Sequence, residues 1–383
     1  MTQAPLAGIK VVEFARILAG PWAGQILADL GAEVIKVEGP TGDDTRKWGP
    51  PFVENGDGSR DAAYFHAANR SKRSVIIDFA SETGRIQAAK LAQSADVVIE
   101  NFKVGGLAKF GLDYATLSVN NPRLVYCSIT GFGQDGPYSH RAGYDFIIQG
   151  MSGIMDLTGE PEGAPQKIGV AYADILTGLY AVIGIQAALA ERAQSGLGQH
   201  IDMALLDVMV GTLANQAMNY LASGSSPKRL GNAHPNIAPY EAFPTADSWI
   251  ILAVGNDDQF RKFCMVVGIP LEARFATNPL RLENRSELSA LITAHTRTWA
   301  RDALLAKLEL TGVPAGPINT VADAFADPQI VARSMQLTME REESAPPVCG
   351  VRLPIRFSRS SLPLSQASPR LGEANSSEFG DTK

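Results

Sequence analysis

The stretch Gly169–Arg192 limits most strongly what this chain can fold into. From Ile175 onward it reads as a helix buried on most sides, with Thr177 and Gln186 as polar interruptions before Glu191 and Arg192. A helix that apolar must be covered by other layers, so the fold has to build its core around it. Asp174 stands where the helix should begin. A carboxylate there faces unpaired backbone N–H groups and the positive end of the helix dipole, which favour its ionised form. Aspartate is also a preferred capping residue, so the local pattern leaves two roles open, a cap and a reactive group.

The preceding chain predicts the layers. Ile9–Phe14 reads as a buried strand and Pro21 suits the first turn of a helix running to about Leu30. Gly31 ends that helix before a second strand, Glu33–Glu38. Strand, helix and strand at this spacing imply a right-handed parallel crossover. A helix over about Glu82–Ser94 and strands at Asp96–Glu100 and Leu124–Ile129 extend it to an α/β domain with an open, Rossmann-like parallel sheet. Gly131–Gly136 matches G-x-G-x-x-G after a strand, but Pro137–Gly143 does not continue as the helix that a dinucleotide site needs. Ala222–Pro227 has linker composition, and strand-like Trp249–Val254 with helices near Asp258–Val267 and Arg285–Leu308 predicts a smaller α+β domain. The expected division is a large domain over 1–221, completed by 328–383, and a small one over 222–327 with its linkers. The polar end Gly372–Lys383 is expected to be mobile.

Composition sets what partners to expect. A net charge of −6 gives no general attraction to nucleic acid or to an anionic membrane, so an anionic ligand would need local Lys and Arg clusters. Three scattered cysteines, Cys127, Cys264 and Cys349, argue against a zinc site or a disulfide framework and fit a reducing compartment. The first residues lack a signal-peptide pattern, and the longest apolar run, Gly178–Ile185, is too short to span a bilayer. A cytoplasmic protein is expected.

Several blocks, in order, resemble the family III CoA-transferases, the CaiB/BaiF group. They are Arg16–Pro21, Gly31–Glu38, Asn69–Ser74, Glu100-Asn101-Phe102, Ala142–Asp145, the Ala173-Asp174 helix start, Gly312–Ile318 and Asp327–Gln329. Gly42–Arg46 leading to Trp48–Phe52, Tyr126–Gly131, and Arg229–His234 followed by Pro239-Tyr240 look most like the branch with succinate–hydroxymethylglutarate CoA-transferase.

The resemblance implies an interlocked homodimer that moves CoA from an acyl-CoA donor, succinyl-CoA by the branch, to a dicarboxylic acid. It makes Asp174 the nucleophile. For CoA it suggests Arg16, Ala19, Lys72, Arg73, Asn101, Phe102, Lys103, Lys109, Tyr144 and Asp145. For the carboxylic substrate and its covering loop it suggests Arg46, Tyr64, Arg229, Asn232 and His234. The family's glycine-rich loop aligns with Gly231–Asn236, where His234 and Pro235 argue against a highly flexible lid. The aspartyl chemistry needs no metal and no permanently bound cofactor, only CoA thioesters as substrates. An α-methylacyl-CoA racemase shares the resemblance but has a histidine at the Tyr144 position, and a tyrosine is a poor base at neutral pH. A non-catalytic CoA-binding relative is the other alternative, against which Asp174 with its surrounding motif weighs.

Overall fold

The computed structural model describes residues 3–341, 345–364 and 366–379, which divide into two compact units. The larger comprises residues up to 154, 167–218 and 328 onward; the smaller comprises 155–166 and 219–327. Residues 155–166, read from the sequence with the large domain, thus belong to the smaller unit.

The larger unit is built on six parallel strands, β1 (Lys10–Glu13), β2 (Glu33–Glu38), β3 (Lys72–Ile76), β4 (Val97–Glu100), β5 (Val125–Thr130) and β6 (His200–Ala204), in the order β3-β2-β1-β4-β5-β6. Val12 of β1 lies opposite Ile35 on one side and Val98 on the other. Helices α1 (Ala19–Asp29) and α5 (Tyr172–Ser195) contribute to the core that includes Val11, Val34, Ile99, Cys127 and Ile185. Alternate strand residues, among them Val12, Ile35 and Val98, face a second core with α2 (Glu82–Gln93) and α3 (Tyr114–Asn120). Such alternation, apolar on both sides, is what a parallel sheet covered on both faces requires.

Helix α5 is 24 residues long and apolar enough, by length and composition alone, to cross a membrane. It is not buried on most sides, as expected, but on one: Ala173, Ala181 and Ile185 are buried while Tyr180 and Ile183 are exposed. On the buried side a side chain at Gly178 would meet the Ala19 carbonyl oxygen at 2.8 Å, so glycine lets α5 and α1 approach closely. It begins at Tyr172, three residues before the expected start, and ends at Gly196 with φ of 79°, a left-handed cap that suits glycine. Between β5 and α5 a short helix, α4 (Asp145–Met151), packs against α5. The Gly131–Gly136 motif is a turn. A Cβ on Gly131 would sit 2.5 Å from the Gly143 Cα, so close backbone approach explains that glycine, with no helix following to receive a phosphate.

The end of the chain returns along β3. Ala374 N–H donates to the Ser74 carbonyl (3.0 Å) and Ile76 N–H to Asn375 Oδ1 (2.9 Å). Gly372–Phe379, expected to be mobile, is therefore pinned to the sheet edge; residues 380–383 lie outside the described residues. The smaller unit has an antiparallel sheet of β7 (Tyr240–Pro244), β8 (Trp249–Ala253) and β9 (Ala315–Pro317), ordered β9-β8-β7, over a core that includes Phe243, Leu252, Phe263, Ile292 and Leu304.

Candidate active site

Asp174 lies in the first turn of α5 and is not its cap. The capping carboxylate is Asp145, at the start of α4: its Oδ1 accepts the N–H of Ala173 at 2.8 Å and of Asp174 at 3.4 Å. The other oxygen, Oδ2, accepts from Gln149 Nε2 at 2.8 Å. Both carboxyl oxygens of Asp145 are thus engaged as acceptors.

Asp174 is thereby left free for chemistry, in a setting unlike the one expected. Burial, and then the nearby charge of Asp145, push its carboxyl up to about 7, against the helix-terminus effect that favours ionisation. Its ionised fraction therefore changes across neutral pH. Transfer by the carboxylate form should rise between about pH 6 and pH 8. In Asp145→Asn the neighbouring charge is gone, ionisation becomes easier, and the acidic limb of the kcat profile should move to lower pH by roughly one pH unit. Overlapping pH profiles for the two enzymes would show that Asp145 does not tune the group.

Tyr64 belongs to the same cluster. Burial, followed by the charges of Asp174, Asp145 and Asp43, raises its hydroxyl pKa, so it remains a neutral donor at physiological pH. Its ring meets Trp48 edge-on at 5.4 Å, an aromatic contact that the sequence reading did not single out. Tyr144 precedes α4 and is 65% exposed, a surface position and not a core tyrosine.

Of the residues suggested for CoA, one group is accessible. Arg16 is exposed and pairs with Asp44 (3.1 Å), an ion pair open to solvent. Asn101 grips the backbone of the Arg16 loop in both directions: its Oδ1 accepts the Arg16 N–H (3.0 Å) and its Nδ2 donates to the Arg16 carbonyl (2.7 Å). Asp43 accepts the next N–H, that of Ile17, which holds a positive φ of 72°. The loop leads into α1 at Ala19, which is buried. Phe102 donates its N–H to Glu100 Oε2 (2.8 Å). Lys103 lies at an exposed position on the rim of a cavity of about 250 Å³ that Tyr114, Ser128 and His200 also line. Lys109 is exposed, its ammonium 4.7 Å from the centre of the Phe110 ring.

The other cations are committed elsewhere. Lys72 is fully buried, its Nζ donating to both oxygens of Glu13 (3.1 and 2.8 Å), the Pro21 carbonyl (2.8 Å) and Asn69 Oδ1 (2.9 Å). No proton of that ammonium remains for a phosphate. Arg73 spends its guanidinium on Glu33, Glu378 and Ser377 at the sheet edge. Arg46, suggested for a substrate carboxylate, is buried over the Phe65 ring and forked onto Glu38 (2.8 and 2.7 Å), with Asp61 at 2.9 Å. Charged residues inside the apolar strand β2, Lys36 and Glu38, were the available signal that this region needed buried partners.

In the smaller unit Arg229 Nη1 donates to the carboxylate and the carbonyl of Asp156 (2.7 and 3.0 Å). Asn232 is exposed. His234 Nδ1 accepts the Asn236 N–H at 3.1 Å, leaving Nε2 to carry the proton of the neutral ring. Arg285 donates to the His234 carbonyl (2.7 Å), and Asn278 holds Asn236 and Ala238 by their backbones (3.0 and 3.1 Å). Hydrogen bonds from Arg285 and Asn278 thus tie this segment to the rest of the smaller unit. Among the described residues no three His, Cys, Asp or Glu side chains group to hold a metal ion.

Residues 6–375 match the profile of CoA-transferase family III. A succinate–glutarate CoA-transferase from Agrobacterium fabrum is 58% identical over 374 residues, covering 96% of this chain and 93% of the relative. The succinyl-CoA:glutarate CoA-transferase of Homo sapiens is 39% identical over 96% of this chain and 84% of its own. A CaiB/BaiF family protein from Brucella suis, known by crystal structure, is 61% identical with a TM-score of 0.89, each chain covered to 98%. Such identity over nearly the whole length, on the same fold, leaves one conclusion: the chain belongs to the CoA-transferase family III and is a CoA-transferase.

Proposed function

We propose that this enzyme moves CoA from succinyl-CoA to a short dicarboxylate, glutarate above all, with Asp174 as the covalent carrier. The observation that carries the mechanism is the placement of Asp174 at the start of a core helix whose cap is supplied by Asp145, so that the nucleophile itself is not consumed by capping. The names of the relatives support the substrates.

The Asp174 carboxylate attacks the thioester carbonyl; the C–S bond breaks, CoA leaves as thiolate, and a mixed anhydride remains. The thiolate attacks Cγ of Asp174, the C–O bond to the succinyl group breaks, succinate leaves, and an aspartyl-CoA thioester is formed. The incoming carboxylate attacks that thioester and releases the thiolate, which then attacks the incoming acid's own carbonyl. The new acyl-CoA departs and the Asp174 carboxylate is restored. Protons and electrons balance without metal or redox cofactor. Each tetrahedral intermediate bears an oxyanion and calls for aimed donors. The Tyr64 hydroxyl, in the same charge cluster, suits that task.

The exposed Arg16, Lys103 and Lys109 remain as partners for the phosphates of CoA, alongside the Asn101 and Phe102 turn. A homodimer is part of this reading. Phe146 and Ile147 of α4 are 59% and 45% exposed and Ile183 of α5 is 61% exposed, apolar area of the kind a second copy would cover. A cytoplasmic setting agrees with the unpaired thiols of Cys127 and Cys264.

The test is a product assay by mass spectrometry with succinyl-CoA as donor. Glutarate should give glutaryl-CoA, and pentanoate, equal in length but with an uncharged end, should react at least a hundredfold more slowly by kcat/KM. A site built to pair with a charged group rejects a ligand that lacks it. Equal use of the two acids would overturn the dicarboxylate assignment.

A further inference from the structure

Gln149 has no solvent-exposed surface and sits one helical turn after Asp145 on α4. Its amide joins the two strands of chain that frame the nucleophile. Nε2 donates to Asp145 Oδ2 at 2.8 Å and lies 3.4 Å from the Val170 carbonyl, while Oε1 accepts the Ile168 N–H at 2.9 Å. These partners fix which end of the amide is which. The Ile168 N–H can only donate, so oxygen must face it, and nitrogen must face Asp145.

We propose that Gln149 is a positioning residue for the reaction: by bonding Asp145 and the 168–170 segment together, its amide fixes where α5 begins and hence where the Asp174 carboxylate points. This rests on the reading of Asp174 as nucleophile. The chain of contacts is continuous. Gln149 orients Asp145, and Asp145 Oδ1 in turn takes the N–H groups of Ala173 and Asp174. A fixed negative charge beside Asp174 disfavours the free carboxylate relative to its neutral acylated forms, the anhydride and the thioester, and so favours acyl transfer to it.

A displaced nucleophile costs rate more than binding, and a misplacement of about 1 Å can cost about a hundredfold. In Gln149→Met, similar in volume but lacking both bonds, kcat should fall about 10- to 100-fold, with the KM for succinyl-CoA changing by no more than about threefold. A kcat within twofold of the parent in the folded variant would overturn the proposal, as would a loss confined to KM. Gln149→Glu covers the case in which the methionine variant does not fold. The protonated acid reproduces the amide, donating to Asp145 and accepting from Ile168, whereas the ionised form repels Asp145. The ratio of variant to parent kcat should therefore rise as pH falls from 8 to 6, and a flat ratio would overturn the proposal. Asp174→Asn is assayed alongside. If it retains transfer, the nucleophile reading has failed; if it is inactive while both Gln149 variants match the parent, only the positioning role has failed.

Discussion

Asp174→Ala should lose CoA transfer by about a thousandfold or more while still binding acyl-CoA, because the covalent route disappears and no neighbour can replace it. Asp145 is the nearest alternative carboxylate, yet both its oxygens are engaged, Oδ1 by the start of α5 and Oδ2 by Gln149. It could attack a thioester only by uncapping the helix that carries the site. The accompanying measurement is direct: parent enzyme treated with succinyl-CoA, denatured and digested, should carry CoA on the peptide containing Asp174. Substantial transfer by the alanine variant, or a label on another residue, would remove Asp174 from the mechanism. The pH setting sharpens the expectation. With its pKa pushed to about 7, Asp174 is a more basic and hence stronger nucleophile than an ordinary carboxylate, and a large part of it is still ionised at neutral pH.

Much of this was legible in the chain before its fold was known, and the misses share a cause. The parallel sheet could be read because strands β1, β2, β4 and β5 are short apolar runs, with a helix whose first turn holds Pro21 between β1 and β2. The importance of Asp174 could be read because it interrupts an apolar helix at its start. The local pattern left cap and reactive group both open for it because the true cap comes from Asp145, 29 residues earlier, and a tertiary hydrogen bond leaves no trace in local spacing. Gln149 was missed for the same reason, since its partner Ile168 lies 19 residues away and meets it only in the fold. Lys72, Arg73 and Arg46 were counted as free cations because the sequence does not say which carboxylates meet them. Only the side-by-side placement of β1, β2 and β3 brings Glu13 to Lys72, residues 59 apart, while the turn at Asp44–Lys47 folds Arg46 back onto Glu38. For Arg16, Lys103 and Lys109 the opposite holds, since exposed positions on loops are what a basic residue in a turn suggests.

That network carries the other large expected effect. Glu13 is completely buried and accepts from two ammonium groups, Lys36 at 3.1 Å and Lys72 at 3.1 and 2.8 Å. Burial by itself would lower the pKa of Lys36, but Glu13, Asp43 and Glu38 outweigh it and hold the group above its usual range. For Lys72 burial wins over Glu13 and brings the pKa down to about 8. The two lysines thus depend on Glu13 unequally: Lys36 has Asp43 at 2.9 Å as a second carboxylate, while Lys72 has only Asn69 and a carbonyl in its place. Glu13→Gln should cost about 3–5 kcal/mol of stability, because it leaves a buried ammonium without its counter-charge. Lys72→Met should cost less, since Glu13 keeps Lys36 and the methionine fills most of the vacated space. Neither change should raise the KM for succinyl-CoA by more than about twofold in the folded enzyme, whereas Lys103→Met or Lys109→Met should raise it without shifting the unfolding midpoint. Urea unfolding and donor titrations on the four variants decide the matter. A tenfold higher donor KM in Lys72→Met at an unchanged unfolding midpoint would return Lys72 to the CoA site and remove it from the structural network.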